Sequence, residues 1–431
     1  MQSAVKEIIT ALVFIVQIVP IGTNLNLVRL LWVMVNGSFL ESRGAVHSGL
    51  QRSDFGDEAI RSSWSGLRYG SWQIDELLKL WRAYVAQRNQ WQARRYGSYR
   101  VKSVDITGFW RPHLKGEVSK HYHALAQKAL PAIVFGVIVS SGRIQEKRIP
   151  LLQAVVRCPL ESSESNFRQV LLEKTVKQTE PDEVTVVDAG FAISELQSAK
   201  VKRWVVRLAN NCTARLNQLP PAKAKGRPQT YGTVIRPLAR TYAKQQLAAT
   251  PAHSQGSFSF AGRTIRFESW PTLVTRQTEV NPANSTFVIQ VFYDPLYQKP
   301  LVLATDMTLQ PELIYLIYRD RWTVEHPPLV AKQMLGLHRQ FVFAPESCFR
   351  LPELALLAGN LLTHTAAFLP PRPTGFWDRT PKATPGRLRR LLAGASFPNL
   401  ADFAPEVRKK NSVFDHLPTG IHAHRRLKPT A

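Results

Sequence analysis

The chain has 431 residues, of which 44% are hydrophobic, and Lys+Arg 56 against Asp+Glu 31 give a formal net charge of +25. That length carries two or three domains around at least one large core, and that hydrophobic fraction excludes a chain disordered by composition. The charge points to a polyanionic partner, with nucleic acid or an anionic membrane surface as the main candidates.

Cys158, Cys212 and Cys348 are odd in number, far apart and without C-x-x-C spacing. They exclude a disulfide framework and a structural zinc site, suit a reducing cytoplasm, and read as packing residues. At the N-terminus, apolar runs at 8–21 and 25–35 are interrupted by Pro20, Gly22, Asn24, Asn26 and Arg29. Neither reaches the ~18–20 residues that span a bilayer, so both are expected as buried helices and not as a signal peptide or membrane anchor.

Residues 1–95 read as all helical. A helix opening near Gly70 and Ser71 places Ile74, Leu77, Leu78, Trp81, Tyr84 and Val85 on one face. Lys79, Arg82, Arg88, Arg94 and Arg95 occupy its other face and its exit, and a shorter helix covers 57–67. Two such helices suit either a DNA-binding helix-turn-helix or a bundle with a solvated basic face.

From Tyr99 the pattern becomes β-rich. Strands are expected at 99–106, 132–140 and 145–157, with Ser141, Gly142 and Arg143 as a hairpin turn. A helix at 163–177, a buried strand at 183–188, a short helix at 193–200 and a strand at 203–208 follow. The order β-β-β-α-β-α-β predicts an α/β core with a mixed sheet over 96–210.

Residues 211–305 break this rhythm, with a basic loop (Pro220, Pro221, Lys223, Lys225, Gly226, Arg227, Pro228) and strand-like runs at 257–267, 272–280 and 286–293. They read as a β-rich insertion. Helix is expected to resume near Pro311 and run through Glu325 to about Leu337, with a further apolar helix at 351–368, so that 306–370 completes the core. A Pro/Arg-rich basic tail occupies 371–431, including Arg372, Arg379, Arg387, Arg389, Arg390, Lys409, Lys410, Arg425 and Arg426.

Acids that end apolar strands stand out in so basic a chain. Asp105 ends one such run and Asp188 another, and adjacent strands would bring both carboxylates to one sheet edge. Paired acids need a compensating cation, which points to a metal site; a lone Asp after a strand is as readily a turn or cap residue. Phosphodiester chemistry with two divalent ions needs such carboxylates on rigid elements. Tyr318, Arg321, Glu325 and Lys332 form a Y-(2)-R-(3)-E-(6)-K pattern whose spacing lies along one helical stripe. Arg321 and Glu325 also fit an ordinary i, i+4 ion pair. Pro327 and Pro328, just after Glu325, demand a kink there or a new helix with prolines in its first turn.

These motifs resemble those of a large bacterial insertion-sequence family of DDE transposases. The resemblance covers about 99–368: Asp105 in V-D-I-T-G, Asp188 in V-D-A-G-F, and Glu325 in the four-residue signature. It implies an RNase H-like catalytic domain with an inserted β-domain, in which Asp105, Asp188 and Glu325 ligate two Mg²⁺ or Mn²⁺ ions. It further implies that Tyr318, Arg321 and Lys332 hold the DNA backbone, and that Trp322 stacks on an unpaired base; a core tryptophan is the alternative reading of Trp322. The activity implied is cleavage of transposon ends in double-stranded DNA and their joining to a target, by a homodimer or higher multimer. Such a protein would be cytoplasmic, nucleoid-associated and without a membrane. An inactive DNA-binding relative, or an RNase H-like nuclease without strand transfer, remains open.

Overall fold

The computed structural model describes residues 2–116, 118–160, 162–221, 228–373, 375–399, 402–404 and 407. Lys223, Lys225, Gly226 and Arg227 of the basic loop, and Lys409, Lys410, Arg425 and Arg426 of the tail, lie outside the described residues.

The organising element is a large mixed sheet. Its central strand, Tyr99–Trp110, pairs antiparallel with Lys128–Ile144, which pairs antiparallel with Lys147–Arg157. On its other side it runs parallel to Glu183–Val187, which runs parallel to Trp204–Arg207. Parallel neighbours need a crossover, and the helix Glu164–Lys177 and the helix Ile193–Ser198 supply it. The Ser163 side chain caps the first of these by accepting from Asn166 N at 3.1 Å.

Most strands of 211–305 continue this sheet, while Arg240–Tyr242 and Gln245–Leu247 pair as a separate hairpin. Leu301–Thr305 pairs antiparallel with Trp204–Arg207, then come Phe287–Tyr293 and Arg263–Val274 in antiparallel order. The runs expected at 257–267 and 272–280 are instead a hairpin of Ser254–Phe260 with Arg263–Val274, turning at Ala261 and Gly262. Both turn residues have positive φ, which an alternation pattern alone does not reveal.

A second correction concerns the first hairpin. Ser141, Gly142 and Arg143 lie inside the strand Lys128–Ile144, and the chain turns at Gln145 and Glu146, with Gln145 at φ 54°. Gly142 serves packing here. A Cβ on it would come within 2.1 Å of the Trp91 ring, which lies against the strand and donates to Ile149 O at 2.9 Å.

The apolar runs near the N-terminus form buried helices, Gln2–Val16 and Thr23–Val35. Among the described residues no helix is long and apolar enough to cross a membrane. These helices, with Asp57–Tyr69 and Ile74–Arg88, share one continuous core with the helix Pro345–Phe368 and with Phe109, Phe135 and Val137 of the sheet. Asn360 ties the three layers together: it accepts from Trp81 Nε1 (2.8 Å) and Leu152 N (3.1 Å) and donates to Pro150 O (2.8 Å). The basic face of Ile74–Arg88 is engaged within the chain, since Arg82 donates to Gln153 O and Arg88 pairs with Glu7. That geometry favours the bundle reading over a free recognition helix.

The helix expected as one piece from Pro311 to Leu337 changes pitch. It is α-helical over Pro311–Arg319, tightens to a 3₁₀ turn over Asp320–Glu325, reopens as His326–Leu329 and widens to a π-turn over Val330–Met334. Pro327 and Pro328 fall in the first turn after Glu325, where a missing N–H leaves no helical bond unmade.

Candidate active site

Asp188 follows Asp105 by 83 residues. The parallel register joins Arg100 to Glu183, Val101 to Val184 and Ser103 to Val186, which is the same offset. Asp188 directly follows the strand Glu183–Val187, and continuing the register by two residues brings it level with Asp105. The Asp188 charge raises the Asp105 carboxyl, so the two acids lie near each other.

The 3₁₀ turn Asp320–Glu325 is laid across the strand that carries Asp105. Ser141 Oγ holds it, donating to Asp320 O at 3.1 Å and lying 2.7 Å from Thr323 Oγ1. Asp320, fully buried, pairs with Arg94 and Arg148 at 3.1 Å each. Burial raises its carboxyl above the ordinary range, against the pull of Arg94, Tyr96 and Arg148. Sequence reading assigned Asp320 no role. Its partners lie more than 170 residues upstream, and its one local signal is an acid between two arginines.

From that turn Arg321 reaches the acids. Its Nη2 donates to Glu325 Oε1 at 2.5 Å, and its Nη1 lies 3.5 Å from Asp105 Oδ2. Arg321 is 8% exposed, against 26% for Asp105 and 32% for Glu325. Burial and the neighbouring Asp188 charge push the Asp105 carboxyl up to about 7, while Arg321 and the Ile106 N–H pull the other way. Burial opposes the Arg321 charge, but Tyr318, Asp105, Glu325 and Asp188 more than offset it. Asp188 also accepts from Gly190 N at 2.9 Å, so the turn role and the paired-acid role coexist in one side chain.

Lys332 arrives from the π-turn. Its Nζ donates to Thr107 Oγ1 at 2.7 Å and sits 5.2 Å from the Phe109 ring centroid. Burial lowers its pKa to about 8 despite the nearby Asp105 charge. Asp105, Thr107, Glu325, Pro328 and Lys332 line a cleft of about 250 Å³. The change of pitch thus leaves Lys332 in the site and does not swing it away.

Tyr318 and Trp322 behave differently. Tyr318 is 6% exposed, buried beneath Arg321, whose guanidinium carbon lies 5.9 Å from its ring. It reaches solvent mainly through a neighbouring cleft of about 680 Å³, which Arg148, Arg207, Lys299 and Arg321 also line. Trp322 is 61% exposed on the wall of that cleft and is not a core tryptophan.

Three carboxylates and two cations compose the site. Their oxygens are hard donors of the kind Mg²⁺ and Mn²⁺ take, and a divalent ion would relieve the acid pair that leaves Asp105 so reluctant to ionise. Among the described residues, however, no three His, Cys, Asp or Glu side chains are gathered around one point. Arg321 holds part of the coordination capacity of Asp105 and Glu325. The donor chemistry fits divalent ions shared between carboxylates, and it does not form a ready cage for a single ion. No protein-family model matches the sequence, and no curated protein matches it either.

Proposed function

We propose that the chain is a DDE-type DNA transposase with an RNase H-like catalytic core, acting on double-stranded DNA as a dimer or higher multimer. The observation that carries this reading is the parallel register whose continuation brings Asp105 level with Asp188, just past its strand, with Glu325 linked to Asp105 through Arg321. The strand arrangement supports it: three antiparallel strands followed by two parallel ones, with helices in the crossovers. In this reading Asp105, Asp188 and Glu325 hold two divalent ions, which when bound would lower the pKa of attacking water and neutralise charge on the leaving oxygen. Lys332 and Arg321 present positive charge to the phosphate on either side of Glu325, Arg by its planar fork and Lys as a point charge. The exposed face of Trp322, in a cleft with Arg207 and Lys299, suits an unpaired base.

The test is Glu325→Gln, assayed on DNA carrying the element's ends with Mg²⁺ or Mn²⁺. Cleavage is expected to vanish while DNA binding remains; unchanged cleavage overturns the site. A second reading, a DNA-binding relative that does not cut, is favoured by one observation, the Arg321 bridge that already occupies Asp105 and Glu325. Binding by the native chain with no nicking in either metal selects that reading, and nicking without joined products selects a nuclease.

A further inference from the structure

The strand bearing Asp105 continues past the site to Trp110, and beyond it the chain returns as a short hairpin arm, with Leu114 and Val118 packed against the main core. Ser119–His123 pairs with the outer end of Lys128–Ile144, from Ser119 opposite Ala132 to His123 opposite Lys128. Its inner face is stacked: the His121 ring lies 5.5 Å from Trp110 at 19°, and His123 lies 4.8 Å from the same indole. Its outer face carries Lys120 and Tyr122, both exposed, and Lys115 and Lys128 are exposed beside it. Between Asp105 and Glu146 the sequence holds a single acid, Glu117, against Arg111, Lys115, Lys120, Lys128 and Arg143. The root is fixed, because Arg111 donates to Val342 O at 2.7 Å and to Gln340 Oε1 at 3.3 Å, joining the arm to the segment beyond Lys332.

The outer face of this ribbon, with Lys120 and Tyr122, is left to solvent. Its charge is complementary to a polyanion, and its root is continuous with the strand that carries Asp105. We propose that the arm is a duplex-DNA backbone clamp, in which Lys115, Lys120 and Lys128 contact phosphates flanking the position held by Asp105. The Trp110, His121 and His123 stack keeps the ribbon rigid, so the lysines meet the backbone at a set distance from the cleft. This inference rests on the DNA reading above and extends it to residues that reading does not use.

The test uses the full chain, a duplex of about 40 bp and arbitrary sequence, and binding measured across a salt series. Each lost phosphate contact lowers the slope of log K against log salt by about 0.9. The combined K115Q, K120Q and K128Q variant is expected to bind at least about tenfold more weakly, with the slope reduced by about 2 to 3 and unchanged circular dichroism. If the native chain binds and the variant keeps the same slope, the clamp is overturned while the DNA reading stands. If the native chain binds no duplex, both fail. Loss of self-association at unchanged slope assigns the arm to a second copy and overturns the clamp.

Discussion

Arg321 donates to Glu325 Oε1 at 2.5 Å while its other terminal nitrogen stands 3.5 Å from Asp105 Oδ2. One guanidinium thereby links an acid on a central strand to an acid on a helical turn laid over it. Two nitrogens held apart in a planar fork serve both partners at once, whereas an ammonium must bring both to a single point. Arg321→Ala is expected to cost about 1–3 kcal/mol, because two half-buried acids lose their counter-ion beside Asp188. Arg321→Lys should recover less than half of that loss in urea denaturation; full recovery would show that charge alone suffices.

Asp320 is wholly buried between Arg94 and Arg148, one residue before Arg321. Asp320→Asn removes the charge that both guanidiniums face while preserving shape. We expect stability to fall by about 1–3 kcal/mol. DNA cleavage should fall by about tenfold or more, with DNA affinity changed less than about threefold, because the turn carrying Glu325 loses its anchor. A variant with native cleavage would confine Asp320 to a structural role.

Asn360 meets Trp81, Leu152 and Pro150 in a fully buried position. Asn360→Leu conserves volume and orphans an indole N–H and a backbone N–H, while Pro150 O keeps the His364 donor. Each unsatisfied group costs about 1–3 kcal/mol, so the loss should be about 2–6 kcal/mol. Asn360→Asp keeps the acceptor; ionised it buries a charge and loses the donor to Pro150, and protonated it keeps a donor. It should be the milder variant in thermal melts at about pH 5, where part of the aspartate population is protonated.

His364 packs edge-on to Trp81 at 5.1 Å and donates from Nε2 to Pro150 O at 2.7 Å. Burial lowers its pKa from 6.5 to about 4, while the Pro150 carbonyl pulls it upward. Between these values the unfolded chain binds the proton and the folded chain does not, so stability falls as the pH is lowered through that window. The loss from this group reaches at most about 3 kcal/mol near pH 4 and is absent above about pH 7. In His364→Gln, whose amide can also donate to Pro150, the melting temperature should lose this part of its pH dependence; an unaltered profile would remove His364 as the cause.

Several features follow from local chemistry and were therefore legible in the sequence. The β-branched run ending at Val187 and the apolar face of Ile74 to Val85 each depend on neighbours a few residues away. The position of Pro327 and Pro328 in the first turn of a new helical segment is also local, because proline lacks the N–H that a helix interior needs. The pairing of Asp105 with Asp188 was legible only conditionally. Their offset of 83 is visible in the chain, but it acquires meaning when the strands are parallel neighbours with that register.

Tertiary structure decided the rest. Nothing near Gly142 distinguishes a turn glycine from one that admits the Trp91 ring, because the ring arrives from 51 residues upstream. Nothing near Asp320 reveals Arg94 and Arg148, and nothing near Asn360 reveals Trp81. The three acids illustrate the division. Local pattern singles out Asp105, Asp188 and Glu325 one at a time, although Asp105, expected at a strand end, lies inside the strand Tyr99–Trp110 because pairing with Lys128–Ile144 extends it. Sheet register relates Asp105 to Asp188, while Glu325 is linked to Asp105 by a 3₁₀ turn anchored by Ser141 and Asp320 and by Arg321 spanning the gap. Those are contacts between segments, which no local pattern encodes.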